Sequence, residues 1–340
     1  VLVFILCLLP LTGGYHMNLM KAESPGPSVS KLVPKVQSTA KILYTIYIIL
    51  TIVEIIFLLI GKMPLFDTLC LSFGTAGTGG FGVKNDSIAS YSTYNQVVIT
   101  VFMILFGINF NAYYLLLTKK VMQAAKNEEV RYYLGIIGLA IVAIAINTRE
   151  MFTSFGSAFQ QAAFQVGSII TTTGYATTDF NVWPVFSKTI LVILMFVGAC
   201  AGSTGGGIKV SRLLILCKSA RKELQLYLHP NAVKKIKMDD KAIPHEVVRA
   251  TNMFLFVYIM IFVTSLLIIS LDNLDMVSNF TAIAATLNNI GPGLGAVVPT
   301  GNFDTYSYIS KAVMIFDMLA GRLEVFPLLL LFKRDTWRKF

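Results

Sequence analysis

The most suggestive chemistry in this chain lies in its backbone oxygens rather than its side chains. In Ser168-Ile-Ile-Thr-Thr-Thr-Gly-Tyr-Ala-Thr-Thr-Asp179, three threonines in a row are closed by Gly174 and Tyr175. Threonine is stiff at χ1 and its hydroxyl competes for backbone hydrogen bonds, while glycine takes angles other residues avoid, so the tract is a poor helix interior. It stands between an amphipathic run, Phe155 to Val166, and an apolar run, Val185 to Ala201. Extended backbone held at such a place can turn a row of carbonyls inward, the arrangement that replaces the hydration shell of a monovalent cation. Gly74-Thr-Ala-Gly-Thr-Gly-Gly-Phe-Gly82 and Asn288-Asn-Ile-Gly-Pro-Gly-Leu-Gly295 have the same character. The candidate ligand windows are therefore Ala76, Gly77, Thr78, Gly79 and Gly80; Thr171, Thr172, Thr173, Gly174 and Tyr175; and Asn288, Asn289, Ile290, Gly291 and Pro292, aligned on Gly79, Gly174 and Gly291.

The elements that must position these turns repeat with them. Ile42 to Ile60 is long enough to span, and Leu65 to Phe73 is a short apolar run that enters the first turn. Gln96 to Leu117 spans again. Tyr132 to Ile146 spans, Met151 to Ile170 is a short re-entrant helix, and Val185 starts another span. Val248 to Leu271 spans, Ser278 to Leu287 is short, and Tyr306 to Phe332 spans. The unit is span, re-entrant helix, glycine turn, span, and internal repetition is stronger evidence than any single motif. With 55% apolar and 14% charged residues and a mean hydropathy of +0.69, far below the roughly 25% charge of a soluble domain, the chain is an integral membrane protein. The fold class is all-α, with repeated helix–re-entrant pore loop–helix units. Three turns make an awkward pore, and Val1 to Leu11 reads as the end of an outer helix from a truncated first repeat, so we expect four strands around a pseudo-fourfold axis. The divisions are 1–11 for that helix end, 12–41 for a linker, 42–118 and 131–217 for the second and third repeats, 218–246 for a basic segment, and 247–340 for the fourth repeat.

Charge placement orients the units. Lys21, Lys31, Lys35 and Lys41, then Lys119, Lys120, Lys126 and Arg131, then the run from Lys209 to Arg249 and the tail Lys333, Arg334, Arg338 and Lys339 fall on one side. Only Lys62, Lys84, Arg149, Lys188 and Lys311 fall on the other. The positive-inside rule makes the first side cytoplasmic. The net charge of +10 is thus a matter of topology, not of nucleic-acid binding. Cys7, Cys70, Cys200 and Cys217 and His16, His229 and His245 show no metal or redox spacing, and read as isolated buried thiols and surface histidines.

Gly198, Gly202, Ser203, Thr204, Gly205, Gly206 and Gly207 interrupt what would otherwise be a continuous span. A phosphate loop is excluded because Ile208 stands where lysine is required. Glycine costs about 1 kcal/mol per helical position, so the segment is either a flexible plug across a pore or a kinked helix. Arg322 lies within an apolar span. It raises a barrier in a cation path, or else forms a structural ion pair with Glu324 or pairs with helix-end carbonyls; Asp317 is a second possible partner. Glu54 reads as a packing or snorkelling acid. A broken-helix secondary transporter of a small solute is the competing class, but the repeats keep one direction where inverted repeats are the rule. No nucleophile–base pair suggests an enzyme.

Several motifs carry a family resemblance: Met20-Lys-Ala-Glu-Ser-Pro-Gly-Pro27, Gly198-Ala-Cys-Ala-Gly-Ser-Thr-Gly-Gly-Gly-Ile-Lys209, His229-Pro-Asn-Ala232, Leu287-Asn-Asn-Ile-Gly-Pro-Gly-Leu-Gly295 and Gly321-Arg-Leu-Glu-Val-Phe326. They resemble the TrkH family, the potassium-translocating subunits of bacterial Trk uptake systems, in a superfamily that includes TrkG and the sodium-coupled Ktr-type transporters with KtrB. The resemblance covers nearly the whole chain and leaves out the family's N-terminal part, including its first filter repeat. It implies potassium as substrate, held by Thr78 and Gly79, Thr173 and Gly174, and Ile290 and Gly291. It also implies a gate built from the intramembrane glycine loop, Lys209 and Arg322, and a homodimer in the bacterial inner membrane. The implied cytosolic partner is a nucleotide-binding ring resembling TrkA, which would carry any ATP, ADP or NAD.

Overall fold

The computed structural model of the chain describes residues 36–229 and 235–323. The expected helix end at 1–11, most of the linker, residues 230–232 of the His229 motif, Glu324 and the basic tail lie outside the described residues.

The first unit starts with α1 (Val36–Ile60), a continuous apolar helix whose Ile49, Ile52 and Ile56 face outward while Leu58 is fully buried. Outward isoleucine is natural where the surroundings are lipid tails, as apolar as the side chain itself. Gly61 and Lys62 end the helix, and Pro64 starts α2 (Leu65–Ala76). Its 12 residues rise about 18 Å, too little for a hydrocarbon core of about 30 Å. The chain then turns and leaves through α3 (Thr93–Phe106), capped by Ser92, which accepts from the Asn95 amide. Here the structure departs from the sequence reading. Gln96 to Leu117 is not one span: α3 stops at Gly107 and α4 (Phe110–Leu117) continues at 90° to it. Asn109 caps α4 by accepting from the Asn111 amide, and its short polar side chain favours a cap over a helix interior.

After the short α5 (Val121–Ala125), the pattern recurs. α6 (Glu128–Asn147) spans, α7 (Phe155–Ile170) re-enters, and α8 (Val185–Val197) leaves. The glycine-rich loop 198–209 separates α8 from α9 (Val210–Leu228). A small hairpin, β1 (Lys237–Met238) with β2 (Lys241–Ala242), precedes the last unit: α10 (His245–Ile269), α11 (Met276–Leu287) and α12 (Tyr308–Arg322). The last two re-entrant helices start on short polar caps: Ser154 and Ser157 for α7, and Asp275, which accepts from the Ser278 amide, for α11.

Units pack through aromatic side chains. Phe280 of α11 lies 5.1 Å from Phe262 of α10 and 6.0 Å from Phe196 of α8, centroid to centroid. Tyr133 of α6 is fully buried and donates to the Ile104 carbonyl of α3 at 3.2 Å. The chain is an all-α integral membrane protein of repeated helix–re-entrant loop–helix units around a pseudo-fourfold pore.

Candidate functional site

The three re-entrant helices among the described residues end in the same way. The cap amides of Gly77, Thr171 and Asn288 donate four residues back. Thr78, Thr172 and Asn289 then take left-handed backbone, with φ of 51, 58 and 56°. The following amides of Gly79, Thr173 and Ile290 reach back five residues, to Gly74, Ser168 and Ala285, at 2.7, 2.9 and 2.8 Å. This is a Schellman closure, made three times, twice with a β-branched threonine where glycine is usual. Left-handed backbone costs a non-glycine residue roughly 1–2 kcal/mol; the surrounding contacts must outweigh that cost. Next come Gly80, Gly174 and Gly291, with φ of 70, 87 and 106°. A Cβ on Gly80 would strike the Thr173 carbonyl, and one on Gly174 the Ile290 carbonyl, so successive turns stand edge to edge and only glycine fits between them.

This closure corrects the alignment drawn from the sequence. Gly80, not Gly79, is level with Gly174 and Gly291, and Gly79 is level with Thr173 and Ile290. The pair equivalent to Thr173 and Gly174 is therefore Gly79 and Gly80 rather than Thr78 and Gly79. Two adjacent glycines left the register open; the five-residue backbone bond decides it. Among the described residues, no donor is directed at the carbonyls of Gly79, Thr173 or Ile290. Other groups of the turns are occupied. Ser168 donates to the Tyr175 carbonyl at 2.5 Å, and the Tyr175 hydroxyl, fully buried, donates to Leu71 of α2 at 3.1 Å. Tyr258 donates to Asn288, and Asn289 donates to the Met318 carbonyl of α12. Pro292 packs beside Gly174. The carboxyl ends of α2, α7 and α11, the negative ends of their dipoles, all meet at these turns.

The loop 198–209 lies against this assembly. The Gly206 amide donates to the Thr172 hydroxyl at 2.6 Å, and a Cβ on Gly206 would stand 2.8 Å from the Asn288 carbonyl. The Thr78 hydroxyl is 3.0 Å from the Thr204 carbonyl, and Arg322 donates to that same carbonyl at 3.2 Å. Loop residues 204–206 thus touch all three turns and Arg322. Lys209, 1% exposed, donates back to the Gly205 carbonyl, and Ser203 donates to Cys200 at 2.6 Å.

Several sequence expectations need revision here. Lys209 and Arg212, counted with the water-facing basic segment, are buried, and Arg212 lies over the Phe254 ring at 3.9 Å. Loop 198–209 is no kinked helix: non-helical backbone with positive φ at Gly198, Gly202 and Gly207 separates α8 from α9. Asp317 is not aimed at Arg322; it is buried and accepts from Ser265 at 2.8 Å. Glu54 does not snorkel. It is fully buried, with Thr75 and Tyr175 as polar neighbours, because its face of α1 packs inward. Cys217 is exposed and Cys70 half-buried; Cys200 is buried.

Sequence reasoning passed over two residues. Glu129, 2% exposed, accepts from the Ala201 amide at 2.6 Å and the Ser211 amide at 3.1 Å. Asn109 donates to its other oxygen at 3.3 Å. Glu129 follows Glu128 in the first turn of α6, where acids are common on helix-dipole grounds alone, so nothing in the sequence singled it out.

Spans, re-entrant helices and backbone turns meeting at one axis define a pore-loop membrane protein. Known proteins narrow this further. The TrkH family model, described as a cation transport protein, matches residues 1–136 and 130–338. The Trk system potassium uptake protein TrkH of Salmonella typhimurium LT2 is 36% identical over 344 residues, covering 100% of this chain and 71% of the relative. Its counterpart in Vibrio parahaemolyticus is 38% identical, over 99% of this chain and 71% of the relative. The Trk system potassium uptake protein TrkG of Escherichia coli K12 is 33% identical, over 99% and 70%. The crystal structure of the potassium transporter TrkH from Vibrio parahaemolyticus superposes with a TM-score of 0.83 at 35% identity, covering 99% of this chain and 70% of that one. The chain belongs to the TrkH family of cation transport proteins.

Proposed function

We propose that this protein takes up potassium ions through a carbonyl-lined filter closed from beneath by the loop 198–209. The observation that carries the reading is the threefold Schellman closure, which leaves the carbonyls of Gly79, Thr173 and Ile290 without donors among the described residues beside glycines at φ of 70, 87 and 106°. A dehydrated monovalent cation needs such oxygens. The relatives, potassium uptake proteins of Trk systems, supply the ion.

In this reading, loop residues 204–206 occupy the inner mouth of the filter, and the Arg322 guanidinium on the Thr204 carbonyl both pins the plug and repels cations. Lys209 holds the loop's shape from within. The basic loops face the cytoplasm of a bacterial cell by the positive-inside rule. A homodimer and a cytosolic nucleotide-binding partner resembling TrkA follow from the sequence resemblance, with residues 218–246 as the docking segment.

Uptake of rubidium and sodium into proteoliposomes tests this. Gly174→Ser puts a side chain on the Ile290 carbonyl and should cut the discrimination between the two ions about tenfold, the effect of 1.4 kcal/mol. Unaltered discrimination in Gly174→Ser and Gly291→Ser together sinks the filter assignment.

A further inference from the structure

We propose that Glu129 is the latch of the gate loop, a single carboxylate that fastens both ends of the loop to the base of α6. The proposal rests on the gate reading above. Oε1 of Glu129 accepts from Ala201, at the entry to the loop, and from Ser211, just past its exit. Oε2 accepts from Asn109, in the break between α3 and α4. That break is itself stitched to the loop: the Cys200 amide donates to the Gly107 carbonyl at 3.0 Å, and the Phe110 amide to the Gly202 carbonyl at 3.1 Å. Ala201 and Ser211 are ten positions apart in sequence yet share one oxygen atom. This geometry holds only while the loop is folded back against α6.

The chemistry suits a latch better than a packing residue. A carboxylate accepting backbone N–H bonds makes charge-assisted bonds, about twice as strong as neutral ones. Burying that charge is costly by itself, and an ion placed in the interior is weak evidence for a stability role. What the carboxylate gives here is a definite arrangement: swing the loop away and two buried amides and one buried acid lose their partners together. The neighbouring Glu128 pairs with Lys218 of α9, and the Glu128 amide donates to Asp239 beside the hairpin at 2.8 Å. The first turn of α6 thus meets the loop on one side and the basic segment on the other. Glu129 is a positioning residue; it lies behind the loop and acts through it.

The test is rubidium flux through the full chain in proteoliposomes, in four forms: unaltered, Glu129→Gln, loop-deleted (residues 205–207), and both changes together. Glu129→Gln keeps the shape and loses the charge. It should raise flux on the order of tenfold, the shift expected when hydrogen bonds to a charged group are weakened, and should add nothing once the loop is deleted. In a background with Cys7, Cys70 and Cys217 changed to serine, the buried Cys200 of the loop should become reactive to a thiol reagent in Glu129→Gln and stay protected in the parent. Glu129→Asp, which keeps the charge, should fall between the two, and it stands in if Glu129→Gln does not fold. If the loop deletion raises flux and neither Glu129 variant does, or if Glu129→Gln raises flux equally without the loop, the latch is wrong and the gate stands. If the loop deletion itself leaves flux unchanged, the gate reading fails.

Discussion

The three glycine turns and the loop 198–209 touch each other, yet they are held in opposite ways. Each turn is closed by its own backbone, within six residues, by amide-to-carbonyl bonds of 2.7 to 2.9 Å. The loop has few bonds of its own. Thr172, Thr78, Arg322, Gly107, Phe110 and Glu129 hold it from distant parts of the chain. A locally closed turn keeps its shape whatever its neighbours do. A segment held by scattered side chains can detach when a few of them let go, without disturbing the turns. Rigid carbonyls and a removable plug are what the proposed selectivity and gating would require of the two regions.

That contrast can be broken most forcibly at the loop. Deleting residues 205–207 removes every contact with Thr172 and should raise rubidium flux by on the order of a hundredfold, since the Gly206–Thr172 hydrogen bond of about 1 kcal/mol and the charge-assisted Lys209–Gly205 bond of about 1.5–3 kcal/mol both disappear. Selectivity should change far less. Arg322→Ala removes one charge-assisted bond, about 1.5–3 kcal/mol, and should raise flux about tenfold. A parallel collapse of selectivity would mean that loop and filter are one unit.

At the turns proposed as the filter, the contrast narrows to two adjacent glycines. Gly80→Ser must adopt φ of 70° and strike the Thr173 carbonyl. It should lose about tenfold in rubidium-over-sodium discrimination, given a strain of roughly 1–2 kcal/mol. A Cβ on Gly79 meets ordinary contacts alone, 3.6 Å to Phe81 and 3.8 Å to the Gly74 carbonyl, so Gly79→Ser should stay close to the parent. The reverse order would restore the alignment on Gly79. The smallest effect belongs to the start of a re-entrant helix. Asp275→Ala removes the cap on the Ser278 amide and should lower thermal stability by about 1 kcal/mol. The Ser278 side chain and amide hold the Asp275 carboxyl below its usual range. Its contribution is therefore present above the ordinary carboxylate pKa and lost as pH falls through the lowered one. An Asp275→Ala stability deficit that persists unchanged in strong acid contradicts that cause.

Much of this protein is legible from residue order alone, because its determinants are local. Runs such as Ile42 to Ile60 and Val248 to Leu271 announce spans through apolar length, and the helices found there follow them within a few residues. Thr171 to Tyr175 and Asn288 to Pro292 announce broken helices through threonine, asparagine and glycine. Their recurrence told the fold class, and glycine density told where the chain leaves the helix at 198–207. Tertiary structure decided what depends on partners far away in sequence. The break at Gly107 to Asn109 sits in an apolar run with no proline, and exists because the loop and Tyr133 pack against it. The choice of Gly80 over Gly79 was open to composition and settled by a backbone bond to Gly74. Lys209 reads as the first charge of a wet segment and is enclosed against the loop at Gly205. Glu129 looked like a helix-dipole acid, and only folding brings Ala201 and Ser211 to its oxygen. Periodicity records which residues avoid water, but not which amide a buried carboxylate will meet; that is fixed when distant segments pack.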